Sequence, residues 1–166
     1  MTDAATMKPM AKPSPDELLR LHEAADAQVV PYSYRKPEAI STAKGRVNLA
    51  KTECLRGVVQ IVKKNGGENN LHYHTGGDTV WLVLKGGARF YGVGDELLGE
   101  LGPQGGILLP GGARYWFEKV GAEDLEILQI VCKESREAKP QRINLDQHKD
   151  WMTEDRLQVY DKAAAK

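Results

Sequence analysis

Gly66-Gly67-Glu68-Asn69-Asn70-Leu71-His72-Tyr73-His74 runs through Thr75-Gly76-Gly77-Asp78 into Thr79-Val80-Trp81-Leu82-Val83-Leu84-Lys85-Gly86, and this stretch decides the fold. Glycine turns flank a short extended run; a β-rich run follows and ends at another glycine. Residues i and i+2 of a strand share a face, so His72 and His74 project side by side. Two imidazoles on one strand can bind one divalent ion if further ligands arrive from other strands.

The same grammar continues outward. Leu55 to Val62 precedes the turn Lys63-Lys64-Asn65-Gly66-Gly67, and Lys85-Gly86-Gly87 separates the 79–84 run from a strand at Ala88 to Tyr91. Glu96 to Leu101, Gly106 to Leu109, Ala113 to Val120 and Leu125 to Cys132 complete a series of short strands, and Gln141 to Leu145 adds one more. Short strands between Gly, Pro and Asp turns predict an all-β sandwich or closed barrel rather than a βαβ sheet.

Ahead of the strands, Ser14-Pro15-Asp16-Glu17 carries a capping box with Pro at the first helical position. It predicts a helix over 15–28, packed on a barrel or on a partner subunit. The expected organisation is a disordered arm over 1–13, the helix and a Tyr-rich connector over 14–50, the barrel over 51–146, and a tail over 147–166 that is a short helix or loose chain.

The glycine-HxH-glycine stretch resembles the first motif of the cupins, through Gly66, His72, His74 and Gly86. Gly105-Gly106-Ile107-Leu108-Leu109-Pro110-Gly111-Gly112 resembles the second, through Pro110 and Gly112. The resemblance covers about residues 55–132. It implies a cupin-type β-barrel, a double-stranded β-helix of jelly-roll type, with an N-terminal helix added. It also implies a metal-dependent oxygenase, lyase or isomerase, and a homodimer.

The departures from the pattern fall on the ligands. The usual Glu position reads Thr79 or, with a spacer one residue shorter, Asp78; the third His position reads Tyr115, and the Asn position Lys119. Three readings follow. In the first, His72, His74 and Asp78 form a two-His-one-carboxylate site for Fe, Mn, Ni or Zn, with Tyr115 as acid/base or substrate group. In the second, the barrel binds a small organic ligand without metal through His72, His74, Thr79 and Tyr115. In the third, the histidines are hydrogen-bonded lumen residues with no ligand. By period two, Trp81 follows Thr79 inward and Phe117 follows Tyr115, as pocket wall or as plain core. Gln129 is a further candidate for substrate contact. Arg89 and Tyr91 lie in a strand, with Arg89 expected outward, and His22 and His148 are expected at the surface.

Composition narrows the remaining classes. Lys plus Arg equals Asp plus Glu at 23 each, so net charge offers no reason to expect nucleic acid or anionic membrane as a partner. No apolar run approaches the roughly 18 residues of a membrane span, and the N-terminus lacks a secretory h-region, which makes the cytoplasm the default location. Cys54 and Cys132 are too far apart for a CxxC pattern; two reduced thiols are expected, at least one in a buried strand. There is no P-loop, no dinucleotide fingerprint at a helix start, no serine elbow and no evident Cys-His pair.

Overall fold

The computed structural model describes residues 12–63, 68–136, 138–146 and 158–161. The chain divides into two units, Met1–Pro31 and Tyr32–Lys166. The first carries one helix, α1 (Pro15–Asp26), and the capping box forms as its sequence requires. Ser14 Oγ accepts from the Glu17 N–H, and Glu17 Oε2 accepts from the Ser14 N–H. Most of the arm assigned to 1–13 lies outside the described residues.

The second unit is built from two antiparallel-rich sheets. One has the order β11 (Gln158–Asp161), β1 (Lys44–Lys51), β2 (Leu55–Val62), β9 (Leu125–Lys133), β4 (Gly77–Lys85), β7 (Gly106–Leu109). The other runs β10 (Arg142–Asn144), β3 (Asn69–His74), β8 (Tyr115–Val120), β5 (Gly87–Tyr91), β6 (Leu97–Leu101). The glycine turn between β4 and β5 needs Gly86, whose φ of +76° is a left-handed conformation that disfavours a side chain.

Two elements depart from the sequence reading. β1 lies within the stretch assigned to the connector, so the sheet begins at Lys44 rather than at 51. Its apolar side is only Val47 and Leu49, alternating with Lys44, Arg46 and Asn48, which gives a weak strand signal. The tail contributes β11, which pairs parallel to β1 and is neither helix nor loose chain at 158–161. Its place is set by long-range pairing, which local composition does not carry.

Sheet alternation decides what faces the barrel interior. On β4 the buried positions are Thr79, Trp81 and Val83, and Asp78 and Val80 are exposed. Trp81 packs against Phe90 and Phe117 at ring separations of 6.0 and 5.5 Å, and this aromatic group anchors the main core with Val62, Val83, Leu125 and Ile127. β2 is buried on both faces from Val58 to Val62, which explains why Val58, Val59, Ile61 and Val62 are apolar on both phases. Its outer side, Val59 and Ile61, packs with Val47 and Leu49 beneath Tyr34 and Ile40 of the connector. Tyr34 is fixed there by donating to Glu126 at 2.6 Å, and Lys36 pairs with Asp124 at 2.7 Å.

Both cysteines are free thiols, but neither is buried. Cys132 falls on the outward phase of β9 and is exposed, and Cys54 is half-buried. Phe117 is fully buried within the aromatic group. Phe117→Ala should therefore lower unfolding free energy by about 3–5 kcal/mol in urea titrations, whereas Leu108→Ala, at an exposed side chain, should change it by about 0.5 kcal/mol or less.

Candidate functional site

β3 carries Asn70, His72 and His74 on one face, and both neighbouring strands bring polar groups to it. Antiparallel pairing sets Tyr115 of β8 opposite His72, and Arg142 of β10 opposite His74. The His72 and His74 rings stand edge to face with centroids 5.0 Å apart. The Tyr115 ring lies 4.5 Å from His72 and 6.5 Å from His74. The three rings thus lie together where β3 and β8 pair.

His72 is 1% exposed, and its Nδ1 lies 2.7 Å from the Asn70 carbonyl oxygen. A carbonyl can only accept, so Nδ1 bears the proton and Nε2 keeps its lone pair. Burial holds His72 down at about 3, with Arg142, His74 and Lys44 adding to the effect and the Asn70 hydrogen bond opposing it. His74 is lowered by burial and by the Arg142 and Arg56 guanidinium groups. Both imidazoles are therefore neutral at pH 7. Burial pushes the Tyr115 phenol up to about 12, an effect that the nearby Trp81 N–H and Arg142 partly oppose. Tyr115 is accordingly protonated at neutral pH and can donate but cannot serve as a base there.

Asp78 does not join the histidines. It sits on the exposed phase of β4, and its Oδ1 accepts from the Gly111 N–H at 2.9 Å, which fastens the Pro110-Gly111-Gly112 turn to the start of β4. Thr79, one residue on, is the one that turns inward. The expectation of Asp78 as a third metal ligand is thus corrected by strand phase. Among the described residues, no three His, Cys, Asp or Glu side chains gather in a way that could hold a metal ion.

A cavity of about 370 Å³ opens onto this end of the barrel, and His74, Thr79 and Gln129 line it. Trp81 and Phe117 face inward but belong to the core. Arg89 is on the outside, paired with Glu100 at 2.7 Å, and Tyr91 donates to Glu118 at 2.6 Å. His22 is exposed on α1, and His148 lies outside the described residues.

Three features of the site escaped the sequence reading. Arg56 of β2 and Arg142 of β10 both line the cavity. The Arg142 guanidinium donates to Asn70 Oδ1 at 2.5 Å. Gln60 donates to Gln129 Oε1 at 2.8 Å, deep in the lumen. A usable signal existed for β2, because Arg56, Val58, Gln60 and Val62 share one phase. None existed for Arg142, which meets His74 only through pairing across 68 residues.

The donor set tests whether a divalent ion suits the site. It offers two neutral imidazoles, a protonated phenol and a threonine hydroxyl, with no carboxylate among the described residues beside them. Arg56 and Arg142 already act electrostatically on His74. Metal sites of this ligand count need anionic or further imidazole donors, so the residues present do not fit a resident divalent cation.

No protein-family model matches the sequence, and no curated protein matches it. Solved structures do resemble the fold. A protein with a double-stranded β-helix domain from Klebsiella pneumoniae aligns with a TM-score of 0.53 at 18% identity, over 72% of this chain and 94% of that one. An RmlC-like cupin family protein from Methanocaldococcus jannaschii aligns with a TM-score of 0.50 at 13% identity, over 63% and 91%. The chain has the cupin fold, a double-stranded β-helix, with a helix added near the N-terminus.

The histidine shift has a consequence for stability. The native state resists protonating His72 below its ordinary value of 6.5, and the unfolded chain does not. The unfolded state therefore binds more protons between pH 6.5 and about 3, so stability is full above 6.5 and falls on acidification through that window. Urea midpoints at pH 7 and pH 5 should differ, with a loss from His72 of up to about 1.4 kcal/mol per pH unit. His72→Gln should remove that share of the slope.

Proposed function

We propose that the barrel is a receptor for a small organic molecule and that it holds no resident metal ion. The observation that carries this reading is the strand phase at Asp78 and Thr79. It leaves the two histidines beside Thr79 and Tyr115 instead of beside a carboxylate. The cavity reaching His74 lies at the lower end of the roughly 300–1,000 Å³ of small-molecule sites. At the cavity itself a neutral His74 would accept a hydrogen bond from a ligand, and the Thr79 hydroxyl would donate one. The oxygenase, lyase and isomerase activities implied by the family resemblance gain no support from this donor set. The fold hosts many chemistries and does not itself choose among them.

The test is the metal content of protein purified without a polyhistidine tag. Far less than one equivalent of metal is expected. Thermal midpoints should be unmoved by chelator and by added Fe(II), Mn(II), Ni(II) or Zn(II), since a ligand that binds the native state raises them. Near-stoichiometric metal that disappears in His72→Ala would overturn the reading.

A further inference from the structure

The geometry points to a small organic carboxylate as the ligand of this lumen, its carboxylate held by Arg56 and Arg142 at the cavity and its apolar body lying against Leu55, Val131 and Pro140. This inference rests on the reading of the lumen as a small-molecule site and names the class of molecule it takes.

Charge at the cavity is uncompensated. Arg56 and Arg142 both line the cavity, where partial desolvation lowers their affinity for their protons although both residues stay exposed to solvent. Arg46 adds repulsion at Arg56 and has a buried Nε with no hydrogen-bond partner. Among the described residues none of the three forms an ion pair with a carboxylate. The one acidic residue at the cavity, Glu53, pairs outward with Arg136 at 3.1 Å. Arg56 and Arg142 thus line the cavity with no carboxylate partner among the described residues.

Unused hydrogen-bond capacity lies on the same face. Gln129 lines the cavity and spends its Oε1 on Gln60, which leaves its amide N–H groups unpaired among the described residues. Gln60 Oε1 is a buried polar atom without a partner. Buried polar groups are rarely left unpaired in native proteins. Trp81 and Tyr115 are almost wholly buried and lie inward of the cavity.

Shape and chemistry together favour a carboxylate. Guanidinium forks match the planar oxygens of a carboxylate, and the amide of Gln129 adds coplanar donors. Leu55, Val131 and Pro140 give the remaining wall an apolar character that suits a carbon skeleton rather than a bare inorganic anion.

Calorimetric titration of the full chain tests the proposal. The probes are benzoate, phenylacetate and hexanoate, each beside its neutral amide, with inorganic phosphate as the control for simple charge attraction. At least one carboxylate should bind saturably, about tenfold or more tighter than its amide and than phosphate. R56Q and R142Q should each weaken it by about tenfold to a hundredfold, and Arg142→Lys less than R142Q. Unliganded R56Q should unfold no earlier than the parent, because Arg46 repels the cation that it removes.

Amides or phosphate binding as well as the carboxylates would overturn the proposal. So would absence of saturable carboxylate binding at millimolar concentration, or an affinity unchanged in both R56Q and R142Q. A large loss of unliganded stability in both variants would assign the arginines to the fold and overturn it too. The two readings fail separately. Carboxylate binding through Arg56 in protein that carries stoichiometric metal sinks only the metal-free reading, and equal binding of amides to metal-free protein sinks only this one.

Discussion

The aromatic group of Trp81, Phe90 and Phe117 is the constraint around which the rest of the barrel is arranged. A closed pair of sheets must fill its interior, and these three rings fill one end of it. Several strands then run from an apolar end to a polar one on their inner side. On β4 the order is Val83, Trp81, Thr79; on β9 it is Leu125, Ile127, Gln129. On β2 it is Val62, Gln60, Val58, Arg56. Side chains that the rings leave no room for are collected at the end where β3 presents His74. The site is the part of the lumen that the core does not occupy.

That arrangement explains how much was legible in advance. The alternation of β3 placed His72 and His74 on one face, and the short glycine-bounded strands specified a barrel. Both are local properties of a few residues. The phase of β4 was ambiguous by one position, and one position reverses which side chain faces in. Thr79 wins because Trp81 and Val83 share its phase and must be buried, whereas Asp78 shares the phase of Val80 and finds its partner in the backbone of Gly111. The bulky residues downstream decide the matter, and a reading of motif spacing alone could not weigh them.

The arginines were hidden for a different reason. Arg56 opens a strand where a charged residue reads as an exposed end, and Arg142 sits in a polar stretch after the last evident strand. Their meaning comes from cross-strand neighbours: His74 beside Arg142, and Gln60 opposite Arg46. Asn70 secures the link within β3. It accepts from Arg142 through its side chain and from His72 through its carbonyl, so the same residue fixes a cation and the tautomer of its neighbouring imidazole. Such a network is visible only after pairing is known. The same holds for β11, whose parallel partner lies more than a hundred residues earlier in the chain.

Charge explains why these departures belong together. The family pattern expects a carboxylate and a third imidazole, and such a shell lowers the energy of a divalent cation. Thr79 and Tyr115 remove the negative charge and one strong donor, while Arg56 and Arg142 add positive charge next to His74. Each change alone would weaken cation binding; together they reverse the sign of the ion that the lumen favours. Two unit charges about 4 Å apart interact by about 4 kcal/mol at an effective dielectric of about 20. Arg46 acts on Arg56 in this repulsive sense, and an anion held at Arg56 would offset it. The depressed His72 belongs to the same balance, since a third or fourth positive charge in that lumen would add to the repulsion. A neutral imidazole, a protonated phenol and two charged guanidinium groups form one consistent electrostatic state, and its complement is negative.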